Sequence, residues 1–229
     1  MKKYSPETVE LYDSCIVMPR RSPASDPHAK DLSVKDQELI QIVDSALAEA
    51  ERRSGEWLVC RPGCTQCCIG AFAINQLDAL RLRQGLADLQ SRAPERAEGV
   101  CSRARESVAR LSGDFPGDPV SGILDEGDDA AQRFSDFAND EPCPALDPET
   151  GNCELYESRP MTCRVFGPPV RSEDGLGICE LCYHGASDEE IAACEMKLDP
   201  DDLESALLKT VEASMGTRGN TIIAFCLAS

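Results

Sequence analysis

The chain has 229 residues and a net charge of −18, from 41 acidic against 23 basic side chains, so phosphate backbones and anionic membranes should repel it and nucleic acid is not an expected partner. Apolar residues make up 41%, which is ordinary for a soluble globular protein, and no apolar run reaches the length that spans a bilayer. The start, Met1-Lys2-Lys3-Tyr4-Ser5-Pro6, has no apolar stretch behind its lysines, which predicts a cytoplasmic protein, and there the 13 cysteines point to metal rather than to disulfides.

Residues 1–32 are rich in proline and polar side chains without sustained periodicity and read as a flexible arm, with 33–229 as a single cysteine-cluster domain. From Ser33, apolar residues at Leu39, Ile40, Val43, Ala46, Leu47 and Ala50 recur three or four apart until Gly55, which predicts an amphipathic helix. Glu56 to Val59 then reads as an extended piece delivering the chain to Cys60, with Trp57 placed to shield the cysteine loop.

That loop is Cys60-Arg61-Pro62-Gly63-Cys64-Thr65-Gln66-Cys67-Cys68, four thiols in nine residues. Thiolates are soft ligands, and gaps of two or three residues let one loop wrap a metal centre. Pro62 and Gly63 suit that tight path. Neighbouring side chains rarely point at one ion, so Cys67 and Cys68 are expected to part, one to a first centre and one to a second centre or the core.

Asn75 is predicted to cap a helix carrying Leu77, Leu80, Leu86 and Leu89. Pro94 opens another, with Cys101, Ala104, Val108 and Leu111 on one stripe. A Gly/Pro/Asp-rich loop over 113–127 precedes a short helix near Asp128 to Phe137. The next block runs from Cys143 to Arg164. Asp147 to Asn152 is dense in turn residues, so Cys143 and Cys153 should flank a small hairpin. Arg159-Pro160 should start a helical turn returning Cys163 to the same place, with Arg159 and Arg164 offsetting thiolate charge. Cys179-Glu180-Leu181-Cys182 is again a pair at ligand spacing. Ser187 with Glu190 predicts a capping box for a helix carrying Ile191, Cys194 and Leu198, and Asp199-Pro200 starts a last helix ending at Gly216. The apolar tail Thr221 to Leu227 is a final strand or a packed end.

Nine cysteines are therefore candidate metal ligands: Cys60, Cys64, Cys67, Cys68, Cys143, Cys153, Cys163, Cys179 and Cys182. Cys15, Cys101, Cys194 and Cys226 stand alone and read as packing residues, and His28 and His184 are left out of the ligand set. The expected fold is mainly α, or α+β with a small hairpin, with helices packed around a loop-built metal core at about 57–185 and C-terminal helices over 187–216. Nine thiols exceed what one zinc or one four-iron cluster needs, so one site with spare thiols and two sites are both open.

The order Cys-rich loop ending in Cys67-Cys68, then Cys143-Pro144-Ala145-Leu146, Gly151-Asn152-Cys153 and Tyr156-Glu157-Ser158-Arg159-Pro160-Met161-Thr162-Cys163-Arg164, resembles the YkgJ-type cysteine-cluster family over roughly residues 57–185. These are the CxxCxxCC proteins, a zinc- or iron-chelating domain whose members include flagellin lysine N-methylase. The resemblance implies a bound zinc ion or iron–sulfur cluster, and through that member protein-lysine methyl transfer on a protein substrate. Here three residues, not two, separate Cys60 from Cys64. That spacing through Cys67 also resembles the motif of radical S-adenosylmethionine enzymes, though Gln66 stands where an aromatic residue is usual and the chain shows few strands. A structural zinc module, a cluster-dependent enzyme and a metal carrier or redox sensor are the functions in view, and any chemistry must come from the metal or its thiols.

Overall fold

The helical periodicity of the sequence is realised in eight α-helices among the described residues, and three two-stranded pairings join the loops between them. The computed structural model describes residues 27–61, 63–172, 175–199 and 201–228. Most of the expected arm, with Cys15, and also Pro62 and Pro200 lie outside that set.

Helix α1 (Pro27–Ser54) starts six residues ahead of Ser33, with Pro27 as its first residue, a position where proline loses no hydrogen bond. Its buried residues Leu39, Val43 and Ala50 fall on one stripe. Helix α2 (Gln76–Arg92) begins at the expected cap, where Asn75 Oδ1 accepts the Asp78 N–H at 2.9 Å. A single residue, Ala93, separates α2 from α3 (Pro94–Leu111), so the two helices pack against each other. The α3 stripe of Ala97, Val100, Cys101, Ala104 and Val108 is buried. The apolar tail is both alternatives at once: β6 (Thr221–Ile222) pairs antiparallel with β1 (Ala73–Ile74), and α8 (Ile223–Ala228) packs on α2 and α3.

Between α3 and the tail lie β2 (Gly117–Asp118) paired with β3 (Ile123–Leu124), α4 (Asp128–Ser135), the single turn α5 (Met161–Arg164), β4 (Val170–Ser172) paired with β5 (Gly175–Gly177), α6 (Asp188–Ala193) and α7 (Leu203–Met215). The capping box of Ser187 and Glu190 forms as expected, but α6 stops before Cys194. The cause is a competing partner: Met196 N–H donates to Pro169 O at 2.8 Å and bridges to Val170, which draws the chain out of the helix. Helix α7 begins at Leu203 rather than at Asp199, with Asp202 at φ +53° and Asp199 Oδ2 accepting the Glu204 N–H at 2.8 Å.

Apolar burial divides into three clusters. The largest gathers α2, α3 and α8 with Phe115, Phe137, Ala145 and Leu155. A second joins α1 and α7 through Leu39, Val43, Leu77, Leu207 and Val211. The third is small and holds Cys179, Cys182, Tyr183 and Cys194 with Trp57, Leu58 and Phe166 against them. A buried ion network ties α1 to α2: Arg81 reaches Asp36 and Asp78, each at 2.6 Å. No helix among the described residues is long and apolar enough to cross a membrane.

Candidate metal centre

The first cysteine loop is held by two short turns. Cys64 N–H donates to Arg61 O at 3.0 Å across Gly63, whose φ of +84° only glycine adopts readily. Cys68 N–H donates to Thr65 O at 2.8 Å and closes the 3₁₀ turn Gln66–Cys68. The second block begins where the first ends: Ile69 bridges antiparallel to Pro142, and Cys143 N–H donates to Cys68 O at 2.7 Å.

The expected hairpin between Cys143 and Cys153 shrinks to a single bridge of Leu146 with Cys153, since Pro144 and Pro148 have no N–H to extend a ladder. Its turn is closed by Asp147 N–H to Asn152 O and Gly151 N–H to Asp147 O, both 2.9 Å. Helix α5 then brings in Cys163, and Asp78 Oδ1 on α2 accepts its leading Met161 N–H at 2.9 Å. The pair Cys179 and Cys182 sits on a turn with Cys182 N–H to Cys179 O at 2.9 Å.

These loops sort the nine thiols into two adjoining nests. The inner nest holds Cys67, Cys68, Cys143, Cys153 and Cys163. Its members raise one another's pKa values: burial pushes Cys143 up to about 12, with Cys153 and Cys67 adding to it. Burial likewise raises Cys163, reinforced by Cys143, Cys67 and Cys153. Cys67 alone is drawn down, to about 6, because the Cys68 thiol hydrogen-bonds to it and Arg159 lies near, while Cys68 is raised by the same bond. The outer nest holds Cys60, Cys64, Cys179 and Cys182. Partial burial raises the Cys60 thiol, with Cys64, Cys67, Cys182 and Cys179 acting on it. All four, with Cys67 as the shared wall, line a cavity of about 10 Å³ closed by Phe166 and Gly167. Gln66 donates across to the Glu180 carboxylate and links the first loop to the last.

The donor chemistry suits zinc or an iron–sulfur cluster, since the nests present soft thiols. Among the described residues no three Cys, His, Asp or Glu side chains stand as a ready grip for one ion, so the nests are groupings of neighbouring thiols rather than finished coordination spheres. One orphaned atom argues that negative charge belongs there. Arg159 stacks on the Tyr156 ring at 3.5 Å, and its buried Nε has no hydrogen-bond acceptor. A buried N–H without an acceptor costs free energy that a charged sulfur centre would offset.

Arg164, expected beside Arg159 as a second counter-charge, turns its Nη atoms elsewhere, Nη1 to Asp44 at 2.7 Å and Nη2 to the carbonyl of Glu157 at 2.6 Å, though its buried Nε also lacks an acceptor. It fastens α1 to the turn before α5. Cys101 and Cys226 lie in the main core as expected. Cys194 packs in the small cluster with Cys179 and Cys182, and His184 is exposed. Phe166 and Gly167 were missed by sequence reasoning, and the Gly167-Pro168-Pro169 run after Cys163 is the signal that marks their turn.

A helical scaffold presenting loop-borne thiols in this way defines a cysteine-cluster metal-chelating domain. The CxxCxxCC family model, described as "Putative zinc- or iron-chelating domain", matches residues 59–183, more than half of the chain, and the protein belongs to that family. No curated protein and no solved structure matches it.

Proposed function

We propose that this protein carries an iron–sulfur cluster in the inner nest, on thiolates drawn from Cys67, Cys68, Cys143, Cys153 and Cys163. The observation that supports this reading is that the Cys67-Cys68 turn, hydrogen-bonded to Cys143, meets Cys153 and Cys163 against the main core, beside Arg159, whose buried Nε lacks an acceptor. Five thiols supply the four that a cluster takes, and the Arg159 charge balances the net negative charge of a thiolate-bound cluster.

A bound cluster supplies one-electron chemistry. The chain's own part is to gather the thiolates, to exclude water by packing Cys143, Cys153 and Cys163 against the main core, and to counter charge through Arg159.

Elemental analysis with a visible spectrum, on protein purified without air, tests the reading. Iron with inorganic sulfide and brown colour are expected. Colourless protein with zinc alone overturns the cluster and leaves a zinc-stabilised module.

A further inference from the structure

The outer nest differs from the inner one in spacing and exposure, and we infer that Cys60, Cys64, Cys179 and Cys182 form a second, separate site that takes one soft ion of the zinc class and exchanges it with solution. The inference rests on metal chelation by this family but not on iron in the inner nest.

The donors come as two pairs, Cys60-x-x-x-Cys64 and Cys179-x-x-Cys182, within the spacings from which four-cysteine zinc sites draw their ligands. Each pair sits on a hydrogen-bonded turn, Cys64 N–H to Arg61 O at 3.0 Å and Cys182 N–H to Cys179 O at 2.9 Å. The space they enclose with Cys67, about 10 Å³, admits one water-sized particle. It is sized for a single ion.

The backbone after the second pair is held under strain that brings the two pairs together. Tyr183 takes φ +60°, a left-handed conformation that costs a bulky residue on the order of 1 kcal/mol or more. Two bonds hold it there. Tyr183 N–H donates to Trp57 O at 2.8 Å, three residues ahead of Cys60, and its hydroxyl shares a 2.5 Å hydrogen bond with Ser54 Oγ. The turn carrying Cys182 is thereby fastened to the segment that delivers Cys60, as expected of a site whose halves lie over a hundred residues apart.

Exposure separates the nests. Cys60 is exposed, whereas Cys179 and Cys182 are buried in the small cluster. In the inner nest no thiol is exposed, and three pack against the main core. An ion in the outer nest would have one ligand open to attack by an incoming donor, and the walls behind it belong to a satellite cluster that can loosen without opening the core.

The test uses the full chain, purified without air and supplied with zinc. The expected result is one zinc per chain that a colorimetric chelator withdraws while any iron stays. Cys60→Ser and Cys182→Ser should each lose that equivalent, and cobalt supplied in place of zinc should show thiolate charge-transfer bands in the parent and not in either variant. The iron-to-protein ratio should be unchanged in Cys60→Ser, which alters an exposed side chain and should fold. Full zinc retention in Cys60→Ser, or loss of iron together with zinc in that variant, overturns the separate outer site. A parent protein without iron that still binds one zinc, lost in Cys60→Ser, supports the outer site and overturns only the cluster reading.

Discussion

The backbone N–H of Cys143 donates a 2.7 Å hydrogen bond to the carbonyl of Cys68. This bond and the adjacent bridge of Ile69 with Pro142 join two cysteine blocks that lie 75 positions apart. Because Cys67 and Cys68 share a 3₁₀ turn immediately before that junction, the inner nest is assembled at a seam between segments, and any loss of seam order should appear as loss of metal.

Cys163 is the inner thiol brought in last along the chain, by a turn anchored to α2. Cys163→Ser is expected to lose the inner metal and to lower the melting temperature, because metal-binding free energy is folding free energy in such sites. Metal analysis with thermal denaturation, before and after a chelator, checks both effects. Unchanged metal content would remove Cys163 from the ligand set.

Cys101 makes the opposite case. It is buried on the α3 stripe within the main core and outside both nests. Cys101→Ala should keep the full metal complement and cost roughly 1 kcal/mol for the small cavity left behind. Urea denaturation beside metal analysis separates the two quantities.

Gly85, midway along α2, faces the turn that carries Arg159. A Cβ there would overlap the Oγ and Cβ of Ser158, and the overlap includes an atom fixed to the backbone. Gly85→Ala gains helix propensity, yet the expected outcome is a loss of about 1–3 kcal/mol through overpacking, read as a lower urea midpoint. A second consequence is weaker metal retention, since the 156–158 turn leads directly into Arg159 and α5.

Asp78 gives the pH dependence. Burial pushes its carboxyl up to about 6, against the opposing pull of Arg81 and of the Met161 amide. The folded chain therefore holds this proton more tightly than the unfolded one, where the carboxyl titrates near about 4. Its contribution favours folding most at acid pH and fades as pH rises from about 4 through 6. In Asp78→Asn, which keeps an acceptor for Met161 and Arg81, stability should vary less with pH over that window. Urea midpoints across pH in the two proteins would show it, and parallel profiles would contradict the shift.

Much of the scaffold was legible in the sequence because helices and their ends obey local rules. Asn75 and the Ser187/Glu190 pair cap helices through atoms three residues away, and the α3 stripe follows a 3.6-residue period. Boundaries slipped where a distant partner competed. The helix α6 ends before Cys194 because Met196 bonds to Pro169, which no local pattern announces.

By itself the sequence determined which donors are on offer, nine clustered thiols, and how they are spaced along the chain. Which thiols share a nest was decided only in three dimensions, because grouping depends on contacts between segments far apart in the chain. Cys67 and Cys68 are adjacent, yet Cys67 alone reaches the wall of the outer cavity. Arg159 and Arg164 look equivalent in sequence and each keeps a buried Nε without an acceptor, but Asp44 on α1 claims Arg164, whereas Arg159 lies near enough to Cys67 to draw its pKa down. Electrostatic partners are chosen by distance in space, and that distance is a property of the fold.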